Sequence, residues 1–288
     1  MRIACFVEAY NFNDKSEQLA LLKFKSTAES IGHTFEFIFK DDITKVPEYD
    51  ALFIRATTDP GNSAYIASRL AEQAGLPVID DPHSIRTCSN KAILHDLFHK
   101  NNVPSPKSLL FTGDYSREAL DNIFSTLGFP VVIKTPYTRF SSHVEKANTE
   151  QEFIKISKQF LRRSKILVIQ EYIQSDFDWR VGILQNKVLY LCKYCIPHGG
   201  WKVKSKINGR NVWGDTVAVP RESISPELEE ICISLSKCVG NGLYGLDVKE
   251  TDEGYKIIEI NDNPSLYRGY EDAVDADIYG KIIDALVR

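Results

Sequence analysis

The sequence predicts an α/β fold in two parts: an N-terminal α/β domain with a parallel sheet over residues 1–84, then a longer region, 85–288, with antiparallel sheets. Three observations carry this. Early in the chain, short apolar strand runs alternate with amphipathic helical runs, the pattern of a parallel sheet flanked by crossover helices. After residue 170, strand runs follow one another through tight turns, as antiparallel hairpins require. Between the two, Asp81-Pro82-His83-Ser84 reads as a turn that punctuates the chain and sets the boundary near residue 84.

In order, 2–7 is a buried strand and 17–31 an amphipathic helix, with Leu19, Leu22, Ala28 and Ile31 on one side and Gly32 closing it. Strands over 33–38, 49–55 and 77–80 and a helix over 63–74 complete the first part. Ligands of such sheets gather beyond the carboxyl ends of the strands. Arg55 and Thr57 stand at such an end, where Arg55 either holds a substrate carboxylate or forms a surface salt bridge. No glycine fingerprint follows the first strand, which argues against a dinucleotide.

The second part opens with a helix over 89–100, a strand over 108–111, a helix over 117–127 and a strand over 131–134. That strand ends in Lys134, which either snorkels to water or waits for phosphate oxygens. An apolar strand, 165–173, precedes a hairpin of 179–184 and 188–196. Residues 198–214, with Lys202, Lys204 and Arg210 among glycines and tryptophans, read as a long, basic, mobile loop. A helix over 226–239 starts with acids that complement its dipole and ends at Gly240, and a last helix spans 276–287.

The stretch 244–264 carries the chemistry. Asp252-Glu253-Gly254 forms a three-residue loop that pairs Thr251 with Tyr255 and sets Asp247 opposite Glu259. Alternation then puts Asp247, Glu259 and Asn261 on one face and Leu246, Val248, Ile258 and Ile260 on the other. Opposed carboxylates repel, so the face is either a site for a hard cation such as Mg²⁺ or a solvated acidic patch.

Composition sets bounds. A chain of 288 residues, 43% hydrophobic, can bury a sizeable core. A net charge of −4 argues against general nucleic-acid binding, and no apolar run approaches the ~20 residues of a membrane span. The chain runs straight into a strand rather than a secretory leader, so the cytoplasm is the expected compartment. The six cysteines lie mostly in apolar segments and read as free thiols; Cys192 and Cys195 have CxxC spacing without a second pair.

The ordered set PVVIK, IQEYI, DWR on a hairpin, GLDV and IIEINDNPS resembles the ATP-grasp superfamily, most closely its RimK-like peptide and glutamate ligases, over 80–283. The segments LFIRATT and NVPSPKSLLF are similar to the N-terminal region preceding ATP-grasp in one RimK-like branch. The resemblance implies a two-lobed ATP-grasp domain over 85–288. It implies an ADP-forming carboxylate–amine ligase using ATP and two Mg²⁺ ions, or Mn²⁺, on a small-molecule or peptide acid and an amine, with a homodimer as one option. Position by position, it implies Lys91 and Lys134 at the nucleotide phosphates, Gln170, Glu171, Tyr172 and Ile173 as the adenine hinge, and Asp178 holding the nucleotide. Arg180 would stabilise the transferring phosphoryl group, with Lys193 and Lys202 near phosphates and substrate and Arg268 among the catalytic residues. Asp247, Glu259 and Asn261 match the metal ligands, while Arg55, Lys204, Arg210 and Tyr267 are substrate candidates. The phosphate loop, 136–143, has no glycine, although Ser141 and Ser142 retain the paired serines of some members. That departure keeps two alternatives: a nucleotide-binding regulatory module and a small-molecule kinase on the same fold.

Overall fold

The computed structural model describes residues 1–137 and 143–287. The first layer is a parallel sheet in the order β2-β1-β3-β4, from strands Arg2–Phe6 (β1), Thr34–Ile38 (β2), Ala51–Ile54 (β3) and Val78–Ile79 (β4). Helices Lys15–Ser30 (α1) and Ser63–Gln73 (α2) cross between strands, capped by the Asp14 and Asn62 side chains. α1 buries Ala20, Leu21, Phe24 and Ala28. Leu19, Leu22 and Ile31, expected inside, are instead exposed, because the small alanines set the close-packed stripe and the bulkier leucines flank it.

The predicted turn 81–84 is the start of a helix, Pro82–Cys88 (α3): Asp81 caps it by accepting the His83 and Ser84 amides, and Pro82 occupies the first turn, where its missing N–H costs nothing. Lys91–Lys100 (α4) follows from an Asn90 cap.

Two antiparallel sheets complete the fold. The smaller, in the order β5-β8-β6-β7, contains Ser108–Phe111 (β5), Val131–Lys134 (β6), Val144–Ala147 (β7) and Leu167–Glu171 (β8), backed by Arg117–Leu127 (α5) and Glu150–Phe160 (α6). The larger, in the order β13-β10-β9-β14-β15, contains Phe177–Leu184 (β9), Lys187–Cys195 (β10), Thr216–Val219 (β13), Leu243–Thr251 (β14) and Gly254–Asp262 (β15). Pro226–Val239 (α7) packs Leu228, Cys232 and Leu235 onto one face of this sheet, against Val181, Ile183, Leu246 and Val248.

The other face of the central sheet changes character along its length. Leu184, Tyr190 and Cys192 join a core with Ile3 and Phe53 of the parallel sheet, Phe24 of α1, and Ile282 and Ile283 of the last helix, Ile278–Val287 (α8). Beyond that core the same face opens into a cleft.

Two further sequence expectations are corrected. The segment 198–214 is not an unstructured loop: it contains strands Lys204–Ile207 (β11) and Arg210–Trp213 (β12), paired as a hairpin with Ser205 buried. Asn208 and Gly209 adopt left-handed φ of 48° and 79°, the tight hairpin turn that an Asn-Gly pair favours. At the other hairpin, Thr251 pairs with Gly254 rather than Tyr255, so the loop has two residues. A bulge between Asp247 and Val248 absorbs the difference, which keeps Asp247 opposite Glu259, buries Ile257 in place of Ile258 and turns Ile258 toward the cleft.

Candidate active site

The cleft encloses about 490 Å³ between the two antiparallel sheets and the carboxyl end of the parallel sheet. From the small sheet come Lys134 and Gln170. Lys134 is 7% exposed and donates to Gln170 Oε1 at 2.7 Å, so it is turned inward rather than snorkelling out. Burial drives its ammonium down to about 8, against the opposing pull of Glu259. β8 ends in the edge Glu171, Tyr172 and Ile173, all lining the cleft, and Glu171 Oε1 accepts the Lys107 amide at 2.7 Å. Lys146 lies 4.4 Å from the Tyr172 ring centre.

From the central sheet, alternation on β9 and β14 aims Asp178, Arg180, Asp247 and Lys249 into the cleft. Arg180 is seated by the space that Gly245 leaves, and Tyr190 by the space that Gly182 leaves. A Cβ on Gly245 would lie 2.6 Å from its Nη1, and one on Gly182, the neighbour across the sheet, would lie 2.2 Å from the Tyr190 ring. The guanidinium stacks 4.9 Å from the Tyr194 ring centre, and the Tyr194 hydroxyl donates to Glu271 Oε1 at 2.5 Å.

Arg180 Nε stands 2.9 Å from Asp247 Oδ1 and Nη2 donates to Oδ2 at 3.3 Å, yet the N–H at Nε does not point along its contact and leaves Oδ1 without a hydrogen bond. Across the strands Glu259 pairs with Lys91 at 3.3 Å. Burial and then the neighbouring acids push Asp247 up against the opposing Arg180; for Glu259 burial is outweighed by Lys91, Lys134 and Arg180, which hold it down.

Asn261 Nδ2 lies 3.4 Å from Asp247 Oδ2 and 3.3 Å from Glu259 Oε1, so the three side chains converge on one point. Reversing the amide presents its oxygen to that point, and Asp247 Oδ1, although close to Arg180, accepts no hydrogen bond among the described residues. This all-oxygen set fits Mg²⁺, which keeps waters and shares its coordination with phosphates. With only two carboxylates here, and no group of three or more acids, histidines or cysteines suited to a metal among the described residues, the protein supplies part of a coordination shell rather than a closed cage.

From the parallel sheet comes Arg55, 6% exposed, with Nη1 donating to Asn263 Oδ1 at 2.6 Å. Asn263 is pinned in turn: its amide N–H donates to Asp80 and its side chain to the Ala56 carbonyl. Arg55 therefore stands in the cleft wall with Glu17, Thr57 and Tyr267, not in a surface salt bridge.

The structure thus gathers Arg55, Lys91, Lys134, Gln170, Glu171, Tyr172, Ile173, Asp178, Arg180, Lys202, Lys204, Asp247, Glu259, Asn261 and Tyr267 around one cleft. It does not bring in three others. Lys193 projects from the opposite face of β10, its ammonium 4.2 Å from the Phe177 ring centre and 4.9 Å from that of Trp179, because Tyr194 takes the inward position. Arg210 sits at the exposed tip of the β11–β12 hairpin, and Arg268 is half-exposed and paired with Asp272. Ser141 and Ser142 lie outside the described residues. Glu17, Tyr194, Lys249, Asn263 and Glu271 line the cleft without having been singled out by the sequence; for Lys249 the signal is present, since it follows Asp247 by two on the same strand.

A family model described as a RimK-like ATP-grasp domain matches residues 88–286. A coenzyme gamma-F420-2:alpha-L-glutamate ligase from Methanococcus maripaludis is 27% identical over 226 residues, covering 75% of this chain and 73% of its own. A glutamate–LysW ligase, ArgX, from Sulfolobus acidocaldarius is 23% identical over 98% of this chain and 97% of its own. In fold, the chain is similar to a RimK domain ATP-grasp protein from Sphaerobacter thermophilus, with a TM-score of 0.73 at 14% identity and complete coverage of both chains. It is likewise similar to a D-alanine–D-alanine ligase from Bacillus anthracis complexed with ATP, with a TM-score of 0.71 at 17% identity over 100% of this chain and 95% of the other. No helix among the described residues is long and apolar enough to cross a membrane. The family match spans most of the chain, and the chain belongs to the RimK-like ATP-grasp family of ATP-dependent carboxylate–amine ligases.

Proposed function

We propose that the cleft joins a small-molecule or peptide carboxylate to the amine of an amino acid, at the expense of ATP, through an acylphosphate. The observation that carries this reading is the convergence of Lys91, Lys134 and Arg180 with the oxygens of Asp247, Glu259 and Asn261, in one cleft with the buried guanidinium of Arg55. The first group suits a polyphosphate and its counter-cation; the second suits an organic carboxylate. The glutamate ligases among the relatives favour an amino acid as one partner.

Bound here, two Mg²⁺ ions would neutralise the terminal phosphates, held by Asp247, Glu259 and Asn261. The protein does the rest by position and charge. Lys134 and Lys91 receive phosphate oxygens; the backbone edge of 171–173 reads the base; Arg180, fixed by Asp247 and Tyr194, meets charge developing on the transferred phosphoryl group. A carboxylate oxygen attacks the γ-phosphorus and ADP leaves. The amine then attacks the acyl carbon, phosphate departs, and the nitrogen gives up a proton. Lys202 Nζ donates to the Val144 carbonyl at 2.7 Å, which joins the segment leading into the β11–β12 hairpin to the small sheet and screens the cleft from water.

The test is a screen of acids and amino acids with ATP and Mg²⁺, read for ADP and, by mass spectrometry, for a new amide. ADP that requires both an acid and an amine is expected, with Arg55→Ala raising the KM for the acid and not for ATP. ADP without amine dependence would indicate a kinase, and ATP binding without ADP a regulatory module.

Lys134 offers an independent check. Lys134→Met is expected to weaken ATP binding by about 1.5–3 kcal/mol, the range for hydrogen bonds to charged groups. Its effect on stability runs the other way. A lysine held near 8 in the fold but near 10.4 when unfolded destabilises the native state below pH 8, and that cost fades as pH rises toward 10. The apo variant should therefore melt no lower than wild type at pH 7. Wild-type ATP affinity should fall as pH rises through 8, when the ammonium is lost, and the variant's should stay flat; calorimetry from pH 7 to 9.5 measures both.

A further inference from the structure

Lys249 leaves β14 on the same face as Asp247 and is 9% exposed, so its charge is buried in the cleft wall. Its Nζ donates to Asp178 Oδ1 at 2.5 Å and to Ser175 Oγ at 2.5 Å. Ser175 belongs to the linker between β8 and β9, so one ammonium ties the connection between the two antiparallel sheets to the central strand. The Ser175 hydroxyl also reaches Asp178 Oδ1, at 3.4 Å. Asp178 Oδ2 takes no hydrogen bond among the described residues, although the residue lines the cleft.

The position of Asp178 gives that oxygen a meaning. Among the residues lining the cleft, Asp178 is near Tyr172 of the edge 171–173 and near Lys134, both of which feel its charge. A nucleotide with its base against that edge and its phosphates at Lys134 and Lys91 has its sugar between them. Vicinal sugar hydroxyls are donors and an ionised carboxylate only accepts, so the two match. Held by nothing, the Asp178 carboxylate would be pushed by the like charge of Asp247, which feels it in turn. The Lys249 ammonium offsets that repulsion and fixes the carboxylate through one oxygen, leaving the other toward the sugar.

We propose that Lys249 is a positioning residue that orients Asp178 to accept the ribose hydroxyls of the nucleotide, and so sets the preference for a ribonucleotide over its deoxy analogues. The inference rests on reading the cleft as a nucleotide site. Lysine is the donor suited to this role, because a compact charge with several N–H groups satisfies a serine and a carboxylate at once.

The test is calorimetric binding of ATP, 2′-deoxy-ATP and 3′-deoxy-ATP, each with Mg²⁺, to the full chain and four variants: Lys249→Met, Lys249→Arg, Asp178→Asn and the double Lys249→Met/Asp178→Asn. Lys249→Met is expected to lose about tenfold in ATP affinity, as for a misplaced charge-assisted hydrogen bond, while binding a deoxy analogue almost as well as wild type does. Its ribose preference should collapse to that of Asp178→Asn, the double variant should be no worse than either single, and Lys249→Arg should keep most of the preference. The double variant removes both buried charges together, so it reports even where Lys249→Met fails to fold. Wild-type preference retained by Lys249→Met or by the double variant overturns the proposal. Preference retained by Asp178→Asn takes the carboxylate off the sugar and overturns it as well. A wild-type chain that binds none of the three nucleotides overturns the nucleotide reading itself, a separate result.

Discussion

Glu259→Gln is expected to reduce ADP formation by at least about 10²-fold, the scale of losing a preorganised electrostatic group at a phosphoryl-transfer centre, while leaving the melting temperature within a few degrees of wild type. Two opposing effects keep the fold intact. The substitution removes the attraction of Lys91 at 3.3 Å and of Lys134, but it also removes the repulsion that burial magnifies on Asp247. Glutamine preserves the shape and still offers one carbonyl oxygen to the point where Asp247 and Asn261 converge; what it lacks is the charge. Single-turnover ADP release together with a thermal melt separates chemistry from folding. Turnover within tenfold of wild type would remove Glu259 from the site.

Gly182→Ala is expected to be among the most damaging single-methyl changes in the chain. Its new Cβ would lie 2.2 Å and 2.3 Å from ring carbons of Tyr190, which is 2% exposed and packed in the core shared with the parallel sheet. Neither side can yield: Gly182 pairs with Gly245 on one flank and Tyr190 on the other, in the middle of the central sheet. Overpacking of this kind costs about 1–3 kcal/mol and sometimes more, so a denaturant titration should show a lower midpoint at unchanged slope, with the unfolding free energy reduced by about that much. Combining it with Tyr190→Ala should cost less than the sum of the two, because truncating the ring removes the clash and the new methyl fills part of the cavity that truncation leaves. A midpoint unchanged by Gly182→Ala would mean that the sheet has slack there.

How much of this is legible in the sequence depends on how far each residue's neighbours lie along the chain. The acidic face of Asp247, Glu259 and Asn261 follows from a hairpin whose strands are joined by a tight turn, and alternation alone brings the three together. Even there the pattern predicts a loop one residue too long, and a bulge, which leaves no mark on a period-two pattern, restores the pairing at the acids. The Asn208-Gly209 turn is written plainly in the chain, but basic residues on both sides hide the strands it joins. Long-range partners are out of reach. Nothing near Tyr194 in the sequence says that it supports Arg180, or that Glu271 receives its hydroxyl; these meet only when β10 and the segment after β15 fold over one another. Lys193 is misplaced for the complementary reason: a basic residue beside an inward tyrosine must point outward on a strand.

The packing of α8 has a bearing on the order in which the molecule is made. Tyr279 sits edge-on to Phe24 at 4.7 Å between ring centres, and Ile282, Ile283 and Leu286 cover the same core as Ile3 and Phe53. Residues 278–287 therefore seal a sheet built from residues 2–79, so the covering helix is synthesised well after the sheet it covers. Until the ribosome has released 278–287, the face of the N-terminal sheet under α1 stays partly uncovered, and closing so long a span of chain is among the slower kinds of contact to form. That sheet stays partly uncovered for as long as the residues between it and α8 are being synthesised, an interval in which exposed apolar surface invites chaperones and aggregation.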